Sequence, residues 1–345
     1  MTDIAIDLGL PMPAKPPKEM LSLRKLPDGR TEIRINHSSY SLVSLCRRKA
    51  HYALNRKLVL SNESAATLFG SAIHAALEVW YTAPRSSRRK GSAQCDDSTA
   101  NMEAGLEPLP HGRCVRCAAM ARFLEVALPL SGLEPSDKRS RRNGTSILDA
   151  YFSHYADDPF VVLSDDIGPI AERRVEMVLA EESDSRVVFF GTIDCVLHNE
   201  LTNQIVITDH KTTSALGQDF MQRISPNFQY VAYTAAFRKL YPQHETRTFM
   251  SNGILVAKTK QTFMRQFTEV SDELMEEWRI SILDTAYDWF ARVQANGPYP
   301  MNSPSPCVEW GGCQYRTLCE NPSSVRESII AAQYEQKGIG PSHAS

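Results

Sequence analysis

The sequence predicts an α/β protein with a mixed central sheet flanked by helices. Two observations carry this. Amphipathic stretches and β-branched runs follow one another in the order helices, strands, helix, strands, helix. Near the middle, residues 187–196 and 205–208 are β-branched and aromatic, and Asn199, Glu200, Thr202 and Asn203 lie between them as turn formers, which predicts a hairpin. With 345 residues and 42% apolar composition the chain can bury a large core, as one elaborated domain or two.

In chain order, residues 1–20 carry Pro11, Pro13, Pro16 and Pro17 and read as a loose arm. Residues 31–35 alternate as a strand, and Ser38 or Ser39 is the expected cap of a helix that carries Cys46 on or near its apolar side. Arg47, Arg48 and Lys49 follow, either a solvated basic face or a phosphate contact. Residues 64–81 form a second helix, with Phe69, Ile73, Ala76, Leu77 and Trp80 about one turn apart and His74 among them. A lone histidine in such a helix is more often packed or at the surface than a ligand.

Residues 84–116 are irregular and read as an insertion. There Cys114-x-x-Cys117 with Cys95 or His111 is a weak zinc pattern, and free thiols in a loop are the stronger reading. Residues 115–130 and 147–156 are helical, with the basic loop Lys138, Arg139, Arg141, Arg142 between them. Residues 170–179 are expected to be the first strand of the sheet leading into the hairpin, with Glu172 read as a surface glutamate before an accessory acid. Ser225-Pro226 reads as the cap and first position of a helix over 227–240. Residues 249–257 and 262–267 make a further hairpin, and Ser271 opens a long helix to about 295.

The chemistry concentrates in Gly191-Thr-Ile-Asp194 and in Asp209-His-Lys211. Side chains alternate along a strand, so Asp209 and Lys211 share one face and His210 takes the other. Hairpin pairing can set the Asp194 carboxylate beside that of Asp209, and two hard oxygen donors suit Mg²⁺ or Mn²⁺. An edge-strand salt bridge explains Asp209 and Lys211 about equally well on pattern alone. Gln229 and Tyr233, four residues apart, share a helix face.

Eight cysteines are present, three of them, Cys307, Cys313 and Cys319, with five residues between neighbours. That spacing reads as metal ligands before a disulfide framework and fits a reducing cytoplasm. Three thiols need a fourth to complete the four-thiolate set of a [4Fe-4S] cluster or a structural zinc, and Cys46 is the best candidate. A formal charge of −2 excludes a generally basic nucleic-acid coat, so any phosphate contact is local. No apolar run reaches the roughly 18 residues of a membrane span, and the amino terminus lacks a basic segment followed by an apolar one, so a soluble, unexported protein is expected.

Taken in order, one early cysteine, a helical histidine, Gly-x-x-Asp, Asp-x-Lys, Gln-x-x-x-Tyr and three late cysteines resemble the RecB-like branch of the PD-(D/E)xK nucleases in its iron-sulfur form. CRISPR adaptation nucleases, AddB-type helicase-nuclease subunits and many phage exonucleases share it. The resemblance runs from Cys46 to Cys319 and skips 84–145. It implies a restriction-endonuclease-like core, divalent metal held by His74, Asp194, Asp209 and the backbone carbonyl of His210, and Lys211 orienting or activating the attacking water. Gln229 and Tyr233 would hold the lysine and the phosphates, and Cys46, Cys307, Cys313 and Cys319 would carry a [4Fe-4S] cluster.

His210 departs from the pattern, where an aromatic such as tyrosine is more usual. The implied activity is metal-dependent DNA hydrolysis, as an exonuclease in recombination, repair or end processing, in a bacterial or phage-infected cytoplasm. DNA is the implied partner, with a helicase or recombination protein as a protein partner. The rivals are a catalytically silent iron-sulfur DNA-binding subunit and a four-cysteine zinc protein. The expected organisation is an arm over 1–20, a helical part with the first cluster cysteine over 21–81, an inserted helical region over 82–160, the nuclease core over 161–300, the cluster-binding segment over 301–334 and a tail over 335–345.

Overall fold

The computed structural model describes residues 21–60, 64–89, 114–302, 304–308 and 312–336. The expected arm, Cys95, His111 and the end of the chain lie outside them. The described residues divide into two units that interleave along the sequence, one within 64–174 and 192–271, the other within 21–63, 175–191 and 272–336. The fold is α/β with a mixed sheet and flanking helices, and the long strand Ser185–Asn199 contributes its first half to the second unit and its second half to the first.

In the first unit the expected hairpin forms. Ile205–Thr213 runs antiparallel to Ser185–Asn199 in the register Cys195↔Thr208 to His198↔Ile205, and Asn203 at its turn takes φ +60°, a conformation that asparagine tolerates. Thr248–Leu255 then adds in parallel to Ile205–Thr213, and Phe263–Glu269 pairs antiparallel beyond it, which makes the sheet mixed. Ile207 is fully buried, and so are Phe249 and Met250, because β-branched and aromatic side chains cover both faces of these inner strands.

The helices Ala65–Thr82, Val115–Val126 and Arg141–His154 pack against this sheet through Phe69, Ile73, Trp80, Phe123, Ile147 and Phe152. Gly144 lies inside the third of them because a Cβ there would stand 2.1 Å from Cζ of Phe123. That helix starts six residues before the expected 147. Ser140 accepts from the Asn143 amide and caps it, so the basic run 138–142 enters the first helical turn.

Behind the hairpin runs a buried polar chain. Arg265 donates to Asp158 Oδ1 at 3.0 Å and to the Tyr81 hydroxyl at 2.7 Å, Tyr81 and Tyr151 share a hydrogen bond of 2.6 Å, and Asn252 donates to the Tyr151 hydroxyl at 2.6 Å. The Asn252 amide nitrogen is also 2.8 Å from Nδ1 of His210. Burial disfavours the Arg265 charge, yet Tyr81 and Asp158 outweigh it and hold the guanidinium above its ordinary pKa.

In the second unit Ser22–Lys25 and Thr31–Ile35 form a hairpin, and the latter lies parallel to the start of Ser185–Asn199. The sheet therefore begins well before residue 170, where its first strand was expected. Pairing with a strand some 150 residues away is invisible to local pattern. Asn36, at the end of its strand, caps the next helix, His37–Leu45, accepting from the Ser39 amide, which displaces the expected Ser38 or Ser39. Ser39 instead accepts from the Leu21 amide.

The helix Asp272–Gln294 buries Trp278, Ile282, Ala286 and Trp289, with Phe189 edge-on to Trp278 at 5.3 Å. The C-terminal helix Ser323–Gln333 leads into the short strand Tyr334–Gln336, which pairs with Leu58–Leu60. Among the described residues no helix is long and apolar enough to cross a membrane.

Candidate active site

Each acid or base of the site is placed by its element. His74 projects from Ala65–Thr82, whose cap Ser64 accepts from the Thr67 amide. Asp194 stands on the central strand, and Asp209 and Lys211 on its hairpin partner. Nδ1 of His74 lies 3.3 Å from Asp194 Oδ2 and 3.9 Å from Glu172 Oε1. Asp194 Oδ2 also accepts the backbone N–H of His210 at 2.9 Å, which fixes the direction of the carboxylate.

Among the described residues, His74, Glu172 and Asp194 form the group of metal-ligating side chains whose donor atoms all lie within 4.8 Å of one another. Glu172 had been read as a surface glutamate. It opens the strand Ala171–Glu181 with φ +45°, in the left-handed region that a glutamate rarely enters. Backbone held in such a conformation clusters at functional sites, where the surroundings enforce it. The acid itself was legible at position 172, but its approach to Asp194 needs the pairing of two strands and an unusual backbone turn.

Asp209 is held differently. Nζ of Lys211 donates to its Oδ1 at 3.0 Å, and the amide nitrogen of Gln229 donates to the same oxygen at 3.2 Å. The Gln229 carbonyl in turn accepts from Nζ of Lys211 at 3.1 Å, so one glutamine clamps both members of the pair. Gln229 is the second residue of Phe228–Leu240, and Tyr233, one turn on, hydrogen-bonds to it. Asn227 caps this helix, accepting from the Gln229 amide, where Ser225-Pro226 had been expected. The asparagine side chain reaches the first free N–H groups directly, and the Ser225–Pro226 bond before it is cis.

His210 presents only its main chain to the carboxylates. Its ring turns to the other face, stacked on Tyr81 at 5.6 Å, and burial pushes its pKa well down, with the charges of His74 and Arg265 adding to the effect. The alternation along the strand forces this separation.

The charges are unbalanced toward the negative. Burial pushes the Asp194 carboxyl up to about 7, with Asp209 and Glu172 adding to the rise and His74 opposing it. Oδ2 of Asp209 is buried, 2.8 Å from Nζ of Lys211 but outside hydrogen-bonding direction, and accepts no hydrogen bond. Burial works against the Lys211 charge, yet Asp209 and Asp194 prevail and hold the ammonium above its ordinary pKa. An imidazole nitrogen and clustered carboxylates together fit a hard divalent cation such as Mg²⁺ or Mn²⁺.

A pH dependence follows for protein kept in chelator. The folded-state pKa of Asp194 is raised, so between about 4 and about 7 the folded chain holds a proton that the unfolded chain has released. Stability conferred by that proton is complete below the unfolded pKa and lost as pH rises through the folded one. The melting temperature in chelator should therefore fall from pH 5 to pH 7.5, and Mn²⁺ should restore more of it at pH 7.5 than at pH 5. Thermal melts of wild type and Asp194→Asn check this, and an undiminished pH slope in the variant would refute the assignment.

In the second unit Cys46 is buried at the end of His37–Leu45 in an extended conformation, between that helix and Arg47–Ala50. Cys307, Cys313 and Cys319 come from the other end of the chain, with the Cys313 amide donating to the Cys307 carbonyl at 3.0 Å. Burial raises the Cys319 thiol pKa, Arg48 opposes the rise, and Cys313, Cys46 and Cys307 add to it. The other three sulfurs thus lie within electrostatic reach of Cys319, though among the described residues they do not form a group with all donor atoms within 4.8 Å. Cys313 and Cys319 pack on Tyr52, Leu58, Tyr315 and Leu318. Four free thiols from two distant segments suit a four-thiolate metal site. Cys114 and Cys117 are 3.1 Å apart at the start of Val115–Val126, and their suggested partners Cys95 and His111 lie outside the described residues.

Among curated proteins none matches the chain significantly. Among solved structures, a Eubacterium rectale protein described as a "Putative exonuclease" is 13% identical, covering 85% of this chain and 91% of that one, with a TM-score of 0.47. The protein SSO0001 is 11% identical over 74% of this chain and 94% of its own, with a TM-score of 0.30. At such TM-scores neither likeness defines the fold or the site. The sequence profile of the PD-(D/E)XK nuclease superfamily, by contrast, matches residues 34–320, a span that includes His74, Glu172, Asp194, Asp209, Lys211 and all four clustered cysteines, and the chain belongs to that superfamily.

Proposed function

We propose that this protein is a divalent-metal-dependent deoxyribonuclease that works from DNA ends as an exonuclease, in recombination, repair or end processing. The observation that carries the reading is the joint arrangement of His74, Glu172 and Asp194, whose donor atoms lie within 4.8 Å of one another, with Lys211 clamped beside Asp209 by Gln229. The exonuclease part and the pathway come from the family resemblance.

A phosphodiester resists hydrolysis because its anionic oxygens repel a nucleophile. A bound divalent cation polarises those oxygens and makes water more acidic. His74, Glu172, Asp194 and Asp209 would hold it, together with the His210 carbonyl. Asp209 and Asp194 favour the charged form of Lys211, so it would act first as a positive charge beside the attacking water and the developing phosphorane charge. Gln229 fixes Lys211 and Asp209 in one geometry, and Tyr233 restrains Gln229. Holding the charge in place before the reaction avoids reorganisation cost in the transition state.

Cys46, Cys307, Cys313 and Cys319 we read as the ligands of a [4Fe-4S] cluster that ties the two ends of the second unit. The support is chemical, namely four free thiols, three of which act electrostatically on the fourth, with Cys313 and Cys319 in an apolar, aromatic setting.

The test incubates anaerobically purified protein with end-labelled linear and circular DNA, in Mg²⁺, Mn²⁺ or chelator, beside Asp209→Ala and Glu172→Gln. Linear DNA should be degraded only with metal, circular DNA should persist, and both variants should lose at least about 100-fold in rate. Equal inactivity of folded wild type and variants on every substrate would overturn the nuclease reading, and cleavage of circles would overturn the exonuclease part.

A further inference from the structure

We infer that the second unit carries a phosphate-binding site, distinct from the carboxylate group of the first, in a cavity of about 260 Å³ lined by Arg48, His51, Arg56, Tyr299, Ser323 and Arg326. The basic run 47–49 left two readings open, and its members take different paths. Arg47 pairs with Asp288 at 2.8 Å, a structural contact, whereas Arg48 turns into the cavity wall. A π-helical turn, His51–Asn55, follows directly and brings His51, Tyr52 and Arg56 to the same cavity. Single π-turns of this kind recur at functional sites.

The cavity holds excess positive charge. Nε of Arg48 donates to the Tyr299 carbonyl at 3.1 Å and Nε of Arg326 to the Asn321 carbonyl at 3.1 Å, so both guanidiniums are anchored through one nitrogen. Among the described residues only Arg56 of the three meets a carboxylate, Glu327, through both terminal nitrogens at 3.0 and 2.9 Å. Three guanidiniums against one carboxylate leave two positive charges on the lining. The surrounding field agrees, since burial and then Arg56 and Arg48 lower the His51 pKa.

Anchored guanidiniums suit phosphate oxygens better than a flexible ammonium does, because the planar fork donates two bonds to one anion. Ser323 opens the eleven-residue helix Ser323–Gln333, whose first N–H groups favour the same charge. His51 and Tyr299 stack at 4.2 Å and make the wall beside the charges rigid. The ligand is thus a phosphate ester, supplied either by a nucleic-acid strand or by a free mononucleotide. The site stands whether or not the chain cleaves DNA.

The test uses the whole protein in chelator, so that no cleavage occurs and failure of the nuclease reading leaves the result unaffected. Binding of a fluorescein-labelled single strand of about 20 nucleotides is followed by anisotropy over a salt series, with dTMP and inorganic phosphate followed by thermal shift. If the strand supplies the phosphate, Arg48→Gln/Arg326→Gln should weaken its binding about 10-fold and reduce the salt slope by about 1.4. If a free nucleotide supplies it, strand affinity is unchanged, while dTMP raises the melting temperature of wild type and not of the double variant. Glu327→Gln should tighten the binding of whichever ligand is taken about 2-fold, a gain that misfolding cannot produce. Strand affinity and dTMP response both unaltered in the double variant would overturn the site.

Discussion

Lys211→Ala is expected to lower the rate of DNA hydrolysis by about 10³-fold while leaving strand affinity nearly unchanged. On the proposed reading the lysine is a fixed charge where negative charge develops, so its removal costs transition-state stabilisation more than binding. Asp209 adds a second readout. It is 1% exposed, and without the ammonium its buried carboxylate loses its positive neighbour. The variant should be destabilised by about 1–3 kcal/mol, below the value for a fully buried pair because the Lys211 side chain is 37% exposed.

Mn²⁺ should then raise the melting temperature of the variant more than that of wild type, since a bound cation replaces the missing charge. Hydrolysis should not recover. A variant that cleaves within 10-fold of wild type would remove Lys211 from the chemistry. Equal Mn²⁺ shifts in both proteins would remove Asp209 from the metal group.

Cys319→Ala should abolish the visible absorbance of anaerobically purified protein and lower its melting temperature on the order of 10 °C. Cys319 feels the other three thiols, and its neighbours Tyr315 and Leu318 anchor the C-terminal segment on Tyr52 and Leu58. Losing one ligand should therefore loosen that segment, read as faster proteolysis near residue 320. Cys195→Ala is the control. Its sulfur is buried in the first unit, 3.6 Å from Nε2 of His210, and its removal should leave the absorbance intact. A colourless wild-type protein containing one zinc would overturn the iron-sulfur assignment and leave the staple in place, because Zn²⁺ accepts the same thiolates.

Local chemistry settled a good part of this protein in advance. The hairpin was readable because β-branched runs and an asparagine-rich turn are adjacent in sequence. Strand alternation alone placed Asp209 and Lys211 on one face and sent the His210 ring to the other. Helical periodicity placed Gln229 and Tyr233 together for the same kind of reason. What the sequence left open depends on contacts between distant segments. Asn36 and Asn227 rather than Ser38 and Ser225 became caps because the preceding backbone delivers their side chains to the free amides.

Glu172 looked like any surface acid until the fold set it beside His74 and Asp194, and its φ of +45° is enforced by surroundings that no local pattern encodes. Arg47 and Arg48 are neighbours in sequence, yet one pairs with Asp288, which it shares with Arg292, and the other lines an arginine-rich cavity. Residue type and spacing determine which groups can react. Burial and long-range pairing decide which of them meet, and which keep an unbalanced charge for a ligand to answer.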